Sequence, residues 1–282
     1  MPIDVLRLAA FSSHGAGGNP AGVAFCPSLP SAAEMQAVAK AVGYSETVFA
    51  AREGDGWRVR YFAPEMEVPF CGHATVALGA ALGERHGEGT YRLALNEGAV
   101  TVEAARTDRG FSATLVSPRT WTKEAPRDWT DRVLAAFGLD RAQLDDRFPV
   151  RIAGAGAAHL VLFLRERRTL AAMRYPFEEV RALMAEQRLV TISLLWRESD
   201  TVIHARNAFA AGGVYEDPAT GAAAAALAGY LRDLGWPAAR PFTILQGEDM
   251  GAPSRLLVSF PDGAGEPVRV GGEVRTIPTA EN

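Results

Sequence analysis

The chain is 282 residues long, with 48% hydrophobic and 22% charged residues, a globular composition large enough for two lobes of ordinary domain size or one large domain. A formal charge of -4 leaves no basic excess to neutralise phosphates, which argues against nucleic acid as a partner. The opening MPIDVLRLAAF has no charged and then apolar leader, and no apolar run approaches the ~18 residues a bilayer requires, so a soluble cytoplasmic protein with no membrane partner is expected.

In chain order, VLRLAAF (5–11) reads as a strand and GGNPAGVAF (17–25) as a turn entering another. SAAEMQAVAKAVG (31–43) reads as a helix begun by Ser31 and stopped by Gly43. GYSETVF (43–49) is a turn leading into a strand, and WRVRYFA (57–63) alternates as a strand should. Further helices are expected over 74–85, 128–138, 176–186 and 222–234. Further strands are expected in YRLALNEGAVTVEAAR, FSATLV, HLVLFL, LVTISLLW, VIHARNAF, FTILQG and SRLLVSF. SPRTWTKEAPRDWT (117–130) reads as the crossover between lobes, and GAGEPVRVGGEVRTIP (263–278) as one more hairpin. Arg165, Arg167 and Arg168 read as a solvated basic face. Strands outnumber helices without a regular strand-helix rhythm, which points to mixed sheets around a few helices, an α/β fold of the α+β kind. GAGAAH (154–159) lacks the third glycine of a dinucleotide fingerprint and precedes a strand, so it is discounted.

The chain repeats itself. EVPFCGHATVALGAAL (67–82) aligns with EDPATGAAAAALAGYL (216–231) at an offset of 149 residues, with seven identities in sixteen positions that include Glu67/Glu216, Pro69/Pro218 and Gly72/Gly221. The offset is close to half the chain, as two similar lobes require. In each copy a strand passes through a Pro and Gly turn into an Ala-rich helix. The unpaired first-turn N–H groups and the positive end of its dipole suit a carboxylate. Two tightly packed buried helices fit the same pattern, and periodicity leaves both open.

Cys71 and His73 flank Gly72 at that helix start, where the dipole favours a thiolate and an imidazole could hydrogen-bond an anion. A lone cysteine is as readily a buried hydrophobe. In the second copy their places are taken by Thr220 and Ala222, so the repeat is chemically asymmetric. Glu46 sits on the turn of GYSETVF, where the plain reading is a surface carboxylate. Asp217 before Pro218 is a turn-initiator by default. Asn19 before Pro20 begins a strand or presents its amide to a ligand. The two cysteines, Cys26 and Cys71, make no disulfide framework, and the five histidines contain no HxxH or HxxxH pair, so no metal is expected.

Taken together, GNPAGVAF, YSETVF, FAPEMEVPFCGHAT, EDPATGAAAAALAGYL and QGEDMGAPS resemble, in order and at similar spacing, the signature stretches of the PhzF-like phenazine-biosynthesis isomerase family. The resemblance runs from about Asn19 to Ser254. It implies a diaminopimelate-epimerase-like fold: two pseudo-symmetric lobes, each a barrel-like mixed sheet around a central helix, with the active site in the cleft between them. The expected lobes are 1–118, to which 267–282 is a candidate addition, and 129–266. It further implies a homodimeric, cofactor-independent isomerase acting on a small carboxylate-bearing molecule, cyclic and amino acid-like among the options.

By the same resemblance, Glu46 is the proton shuttle, a carboxyl able to accept and then release a proton near neutrality. His73 and Asp217 position or polarise the substrate, while Asn19, Cys71, Gly72, Thr75, Gly221 and Ala222 line its binding site. The family often carries serine where this chain has Ala222, so one hydroxyl contact is missing. Related racemases use two opposed cysteines; here Thr220 stands opposite Cys71, and threonine is no general base near neutral pH. The alternatives are therefore a Cys71-dependent amino-acid or hydroxyproline-type epimerase with an unconventional partner, and a non-catalytic small-molecule binding protein.

Overall fold

The fold is taken from a computed structural model that describes residues 3–236 and 241–278. Its first elements are β1 (Leu6–Ser12), β2 (Asn19–Cys26), α1 (Ala32–Val42), β3 (Glu46–Glu53), β4 (Gly56–Phe62), β5 (Glu67–Val68) and α2 (Gly72–His86). There follow β6 (Gly89–Ala94), β7 (Ala99–Thr107), β8 (Gly110–Val116), β9 (Trp121–Glu124), α3 (Arg127–Ala136), β10 (Arg151–Gly154) and β11 (Ala158–Leu164). The remainder are α4 (Arg167–Ala171), α5 (Phe177–Glu186), β12 (Thr191–Arg197), β13 (Val202–Ala208), β14 (Glu216–Asp217), α6 (Gly221–Asp233), β15 (Phe242–Gln246), β16 (Ser254–Ser259) and β17 (Arg269–Thr276). The described residues form two compact units, 3–116 with 271–278, and 117–236 with 241–270.

In the first unit β1 pairs with β2, β2 runs parallel to β3, β3 is antiparallel to β4, and β4 runs parallel to β6, which continues as an antiparallel meander through β7 and β8. β17 pairs with β1 and with β8, closing the ring of strands. The segment expected as a terminal hairpin is thus one strand, because both of its edges find partners. α2 runs inside this ring against β1, β2, β3, β6, β7 and β8, buried at every residue from Gly72 to Gly83. Small residues are what let it fit: a Cβ at Gly79 would stand 2.4 Å from Val102 Cγ2. Leu78 and Leu82 fill the remaining space, each contributing about 2 kcal/mol by leaving water. By contrast α1 lies on the surface and is delimited as its sequence demands. Ser31 and Glu34 form a complete capping box, and Gly43 ends the helix in the left-handed region at φ 72°.

The second unit repeats the plan. β9, β10 and β11 are antiparallel, β11 runs parallel to β12, β12 is antiparallel to β13, β13 runs parallel to β15, and β15 is antiparallel to β16. α6 is the buried helix, packed on β9, β10, β11 and β16. The other sheet face is covered by α3 and α5 through Trp129, Val133, Val180 and Met184, and Trp129 Nε1 donates to Leu183 O at 3.1 Å. α4, absent from the expected elements, is a single five-residue turn of helix. Arg167 at its start is not part of a solvated basic face, since it pairs with Asp249 at 3.0 Å and thereby ties α4 to the turn after β15. Among the described residues no helix is long and apolar enough to cross a membrane.

The repeated stretches fold alike. β5 and β14 begin 149 residues apart, as do α2 and α6. Phe62 faces Glu67 across β4 and β5, and Ala208 faces Glu216 across β13 and β14. In each unit an arginine two residues before that position clamps the glutamate with two bonds: Arg60 to Glu67 at 2.8 and 2.5 Å, Arg206 to Glu216 at 2.9 and 2.5 Å. The clamp holds the short strand that leads into the buried helix. Arg60 hydrogen bonds, with help from Asn96, keep the Glu67 carboxyl below the usual carboxylate range. The two clamps differ in depth, with side chains 22% and 27% exposed in the first and 9% and 4% in the second. Arg206 also donates to Ala171 O at 2.7 Å. Arg206→Ala should therefore cost about 3–5 kcal/mol by stranding a buried carboxylate, and Arg60→Ala about 1 kcal/mol or less; denaturant unfolding of the two variants checks the order.

Candidate active site

In the first unit Glu46, Cys71 and His73 converge. Glu46 is the first residue of β3, set opposite Ala21 of β2, after the left-handed Gly43 turns the chain out of α1. Cys71 is the residue preceding α2 and His73 lies in its first turn. His73 Nε2 is 3.4 Å from Glu46 Oε2 and 3.4 Å from Ser45 Oγ, while Nδ1 is 3.3 Å from Cys71 Sγ. One imidazole thus spans a thiol and a carboxyl. Nε2 makes its hydrogen bond with Ser45 Oγ and stands beside the carboxyl without one. Glu46 Oε2 is buried and engages no donor in hydrogen-bond geometry. A buried acceptor left in that condition is costly unless a ligand completes it.

The start of α2 is uncapped by any side chain and carries no acid in its first turn, unlike the fully boxed α1. Its frame is rigid: Thr75 Oγ1 donates to Cys71 O at 2.7 Å and meets Tyr61 Oη at 2.7 Å, both fully buried. Burial pushes the Tyr61 phenol well above its ordinary range, so it stays a neutral hydrogen-bonding group. The Thr75 hydroxyl is therefore engaged within the protein. Asn19, at the first residue of β2 opposite Ala10, is buried.

The second unit gathers Asp217, Thr220 and Gly221 at the start of α6, also uncapped by a side chain. Thr220 Oγ1 donates to Asp217 Oδ2 at 2.6 Å. Gln246, at the end of β15, ties the group together. Its Nε2 donates to Asp217 O at 2.7 Å and to Thr220 Oγ1 at 3.1 Å, and its Oε1 accepts from Thr220 N and Asn207 Nδ2, both at 3.2 Å. Ala222 is half-buried on the first turn. Gly247 permits the turn, since at φ 78° a Cβ would lie 2.2 Å from Ala252 O. Asn207 and Gln246 were not singled out from the sequence. The signals available were the place of Asn207 in the RNAFA stretch before the second copy and the first letter of the QGEDMG block.

A family model described as "Phenazine biosynthesis-like protein" matches residues 8–278. The chain is 32% identical to the trans-2,3-dihydro-3-hydroxyanthranilate isomerase of Pseudomonas aeruginosa over 272 residues, 92% of this chain and 90% of that one. Among solved structures, a predicted epimerase from Pseudomonas aeruginosa superposes with a TM-score of 0.85 at 28% identity, covering 100% of this chain and 99% of that one. A PhzF-family protein from Bacillus anthracis superposes with a TM-score of 0.85 at 22% identity, covering 99% and 98%, and speaks to the fold alone. The fold is diaminopimelate-epimerase-like.

The Gln246 hub gives a stability prediction. Gln246→Leu keeps the volume but removes the acceptor of Asn207 Nδ2 and the Thr220 N–H and one donor to the Asp217 carbonyl, and should cost about 3 kcal/mol or more in denaturant unfolding. An unchanged unfolding midpoint would show that the three groups find other partners.

Proposed function

Because the chain belongs to the phenazine biosynthesis-like family, whose members include named isomerases, we propose that this isomerase or epimerase works through Glu46 as a single acid–base carboxyl. Glu46 takes a proton from a carbon beside an unsaturated system of a small carboxylate and returns it to another carbon. The observation that carries this reading is the buried Glu46 Oε2, without a hydrogen bond and 3.4 Å from His73 Nε2. His73 holds the carboxyl and its proton in place. The uncapped first turn of α2 offers N–H groups, Gly72 first, to a substrate carboxylate or to charge that develops as the proton leaves. In the second unit Asp217 and the N–H groups at Gly221 are the substrate-positioning groups, with Asp217 held by Thr220. Asn19 and Ala222 complete the proposed lining.

The reading includes a homodimer in the cytoplasm that needs no cofactor. trans-2,3-Dihydro-3-hydroxyanthranilate, the substrate in the name of the Pseudomonas aeruginosa relative, heads the compounds to test. One observation favours a second reading: Cys71 Sγ within 3.3 Å of His73 Nδ1 is a thiol beside a base, as a Cys71-dependent epimerase needs. Thr220, at the matching position of the second unit, weighs against it.

Deuterium uptake separates them. With the protein in heavy water and a panel of small amino, hydroxy and cyclic carboxylates, mass spectrometry should show exchange that falls by about 10²–10⁴-fold in Glu46→Gln and persists in Cys71→Ala. Exchange that survives Glu46→Gln and fails in Cys71→Ala restores the epimerase. Ligand binding without exchange in the unaltered protein points to a non-catalytic binder.

A further inference from the structure

Glu46, Cys71 and His73 are also a set of metal donors. One carboxylate oxygen, one thiol sulfur and one imidazole nitrogen all lie within 4.8 Å of one another. We propose that this trio binds a thiophilic divalent cation of the zinc class, and that the bound ion shuts off proton transfer by occupying the carboxyl that performs it. The metal site stands on geometry alone; the shut-off rests on the reading of Glu46 as the acid–base group.

The three donors lie close enough for four-coordination once the side chains turn. A tetrahedral ion at ordinary Zn–S, Zn–N and Zn–O lengths spaces its ligand atoms about 3.3–3.6 Å apart. His73 Nε2 stands 3.4 Å from Glu46 Oε2, while Cys71 Sγ lies nearer Nδ1, at 3.3 Å, than Nε2, at 3.9 Å, so His73 and Cys71 must turn about their side-chain bonds to set three corners round one ion. Three protein donors leave the fourth corner to water or to a substrate oxygen, the pattern of an open zinc site. The donors lie on the rigid start of α2 and on β3, with His73 and Cys71 buried and the Glu46 side chain 14% exposed. Glu46 Oε2, which engages no donor, gains a partner.

Binding releases the thiol proton to solvent and leaves Cys71 as thiolate, Glu46 as carboxylate and His73 neutral. The helix start helps and opposes at once. Its positive end favours the thiolate yet repels the cation, but it amounts to about half an elementary charge, against two full anionic donors. Histidine spacing alone gave no hint of such a site, because its ligands come from two separate stretches of the chain.

Cobalt(II) is the probe, titrated into chelator-treated full-length protein. One equivalent should produce the intense visible bands of a four-coordinate ion together with a near-ultraviolet sulfur-to-cobalt band, and zinc should displace it. Cys71→Ser should abolish the sulfur band, Cys26→Ser should keep it, and His73→Asn and Glu46→Gln should each weaken binding by about tenfold or more, with circular dichroism confirming that every variant is folded. Absence of the sulfur band in the unaltered protein, or its survival in Cys71→Ser, overturns the site. Zinc should also suppress deuterium exchange in proportion to occupancy. Cobalt bound with the predicted sulfur band, while zinc leaves exchange intact, would overturn the shut-off and with it the role of Glu46, while the metal site stands.

Discussion

Each unit of this protein is organised by a helix that is buried from its first turn. A helix start carries backbone N–H groups that need partners, and burying them without partners is expensive. α1 meets the demand in the ordinary way, with Ser31 and Glu34 reaching back to the backbone. α2 and α6 do not: neither has a side-chain cap or a first-turn acid, although both are enclosed by strands. The chain instead invests in holding those starts still. An Arg–Glu clamp fixes the short strand before each helix, and hydrogen bonds through Tyr61 and Thr75 in one unit and through Gln246 in the other fix the turn that follows. Rigid helix starts without a side-chain cap, in a small-residue setting, are what an anion-binding site needs.

The two units share this frame and differ in the chemistry placed on it. Where the first unit sets Glu46 opposite Ala21 at the start of its parallel strand pair, the second sets Thr191 opposite His159. Those two side chains are hydrogen-bonded, Nδ1 to Oγ1 at 2.7 Å, while His159 Nε2 is buried without a partner and burial pushes the imidazole down to about 3. The second unit thus has a neutral, fully buried pair where the first has an acid. Likewise Cys71 and His73 give way to Thr220 and Ala222. The two units thus repeat one buried-helix frame, and only the first carries the carboxyl, thiol and imidazole together.

Much of this was legible in the sequence because the repeat is anchored by residues with strict local demands. Glu67/Glu216, Pro69/Pro218 and Gly72/Gly221 occupy a clamp, a turn and a helix start, so their register carried through to β5/β14 and α2/α6 unchanged. Ser31 and Gly43 bounded α1 for the same reason. What escaped depends on contacts distant in the chain. Asn207 and Gln246 are ordinary amides until β13 and β15 lie side by side. Arg167 looked solvated until the turn at Asp249 came to meet it. The last strand read as a hairpin because its partners, β1 and β8, are far away in sequence. Phe11 holds φ 62° at a bulge in β1, a strain that no local pattern announces in a bulky residue.

The central claim is that one carboxyl, Glu46, both removes and returns the proton. It is tested most directly with a carboxylate substrate deuterated at the carbon that loses its hydrogen, turned over once in ordinary water with the position of the label followed by NMR. A single carboxyl predicts product of which a part carries deuterium moved from the first carbon to the second, the rest carrying hydrogen from water where the carboxyl exchanges before it returns the proton. Label transfer that persists undiminished in Glu46→Gln would contradict the role of that carboxyl.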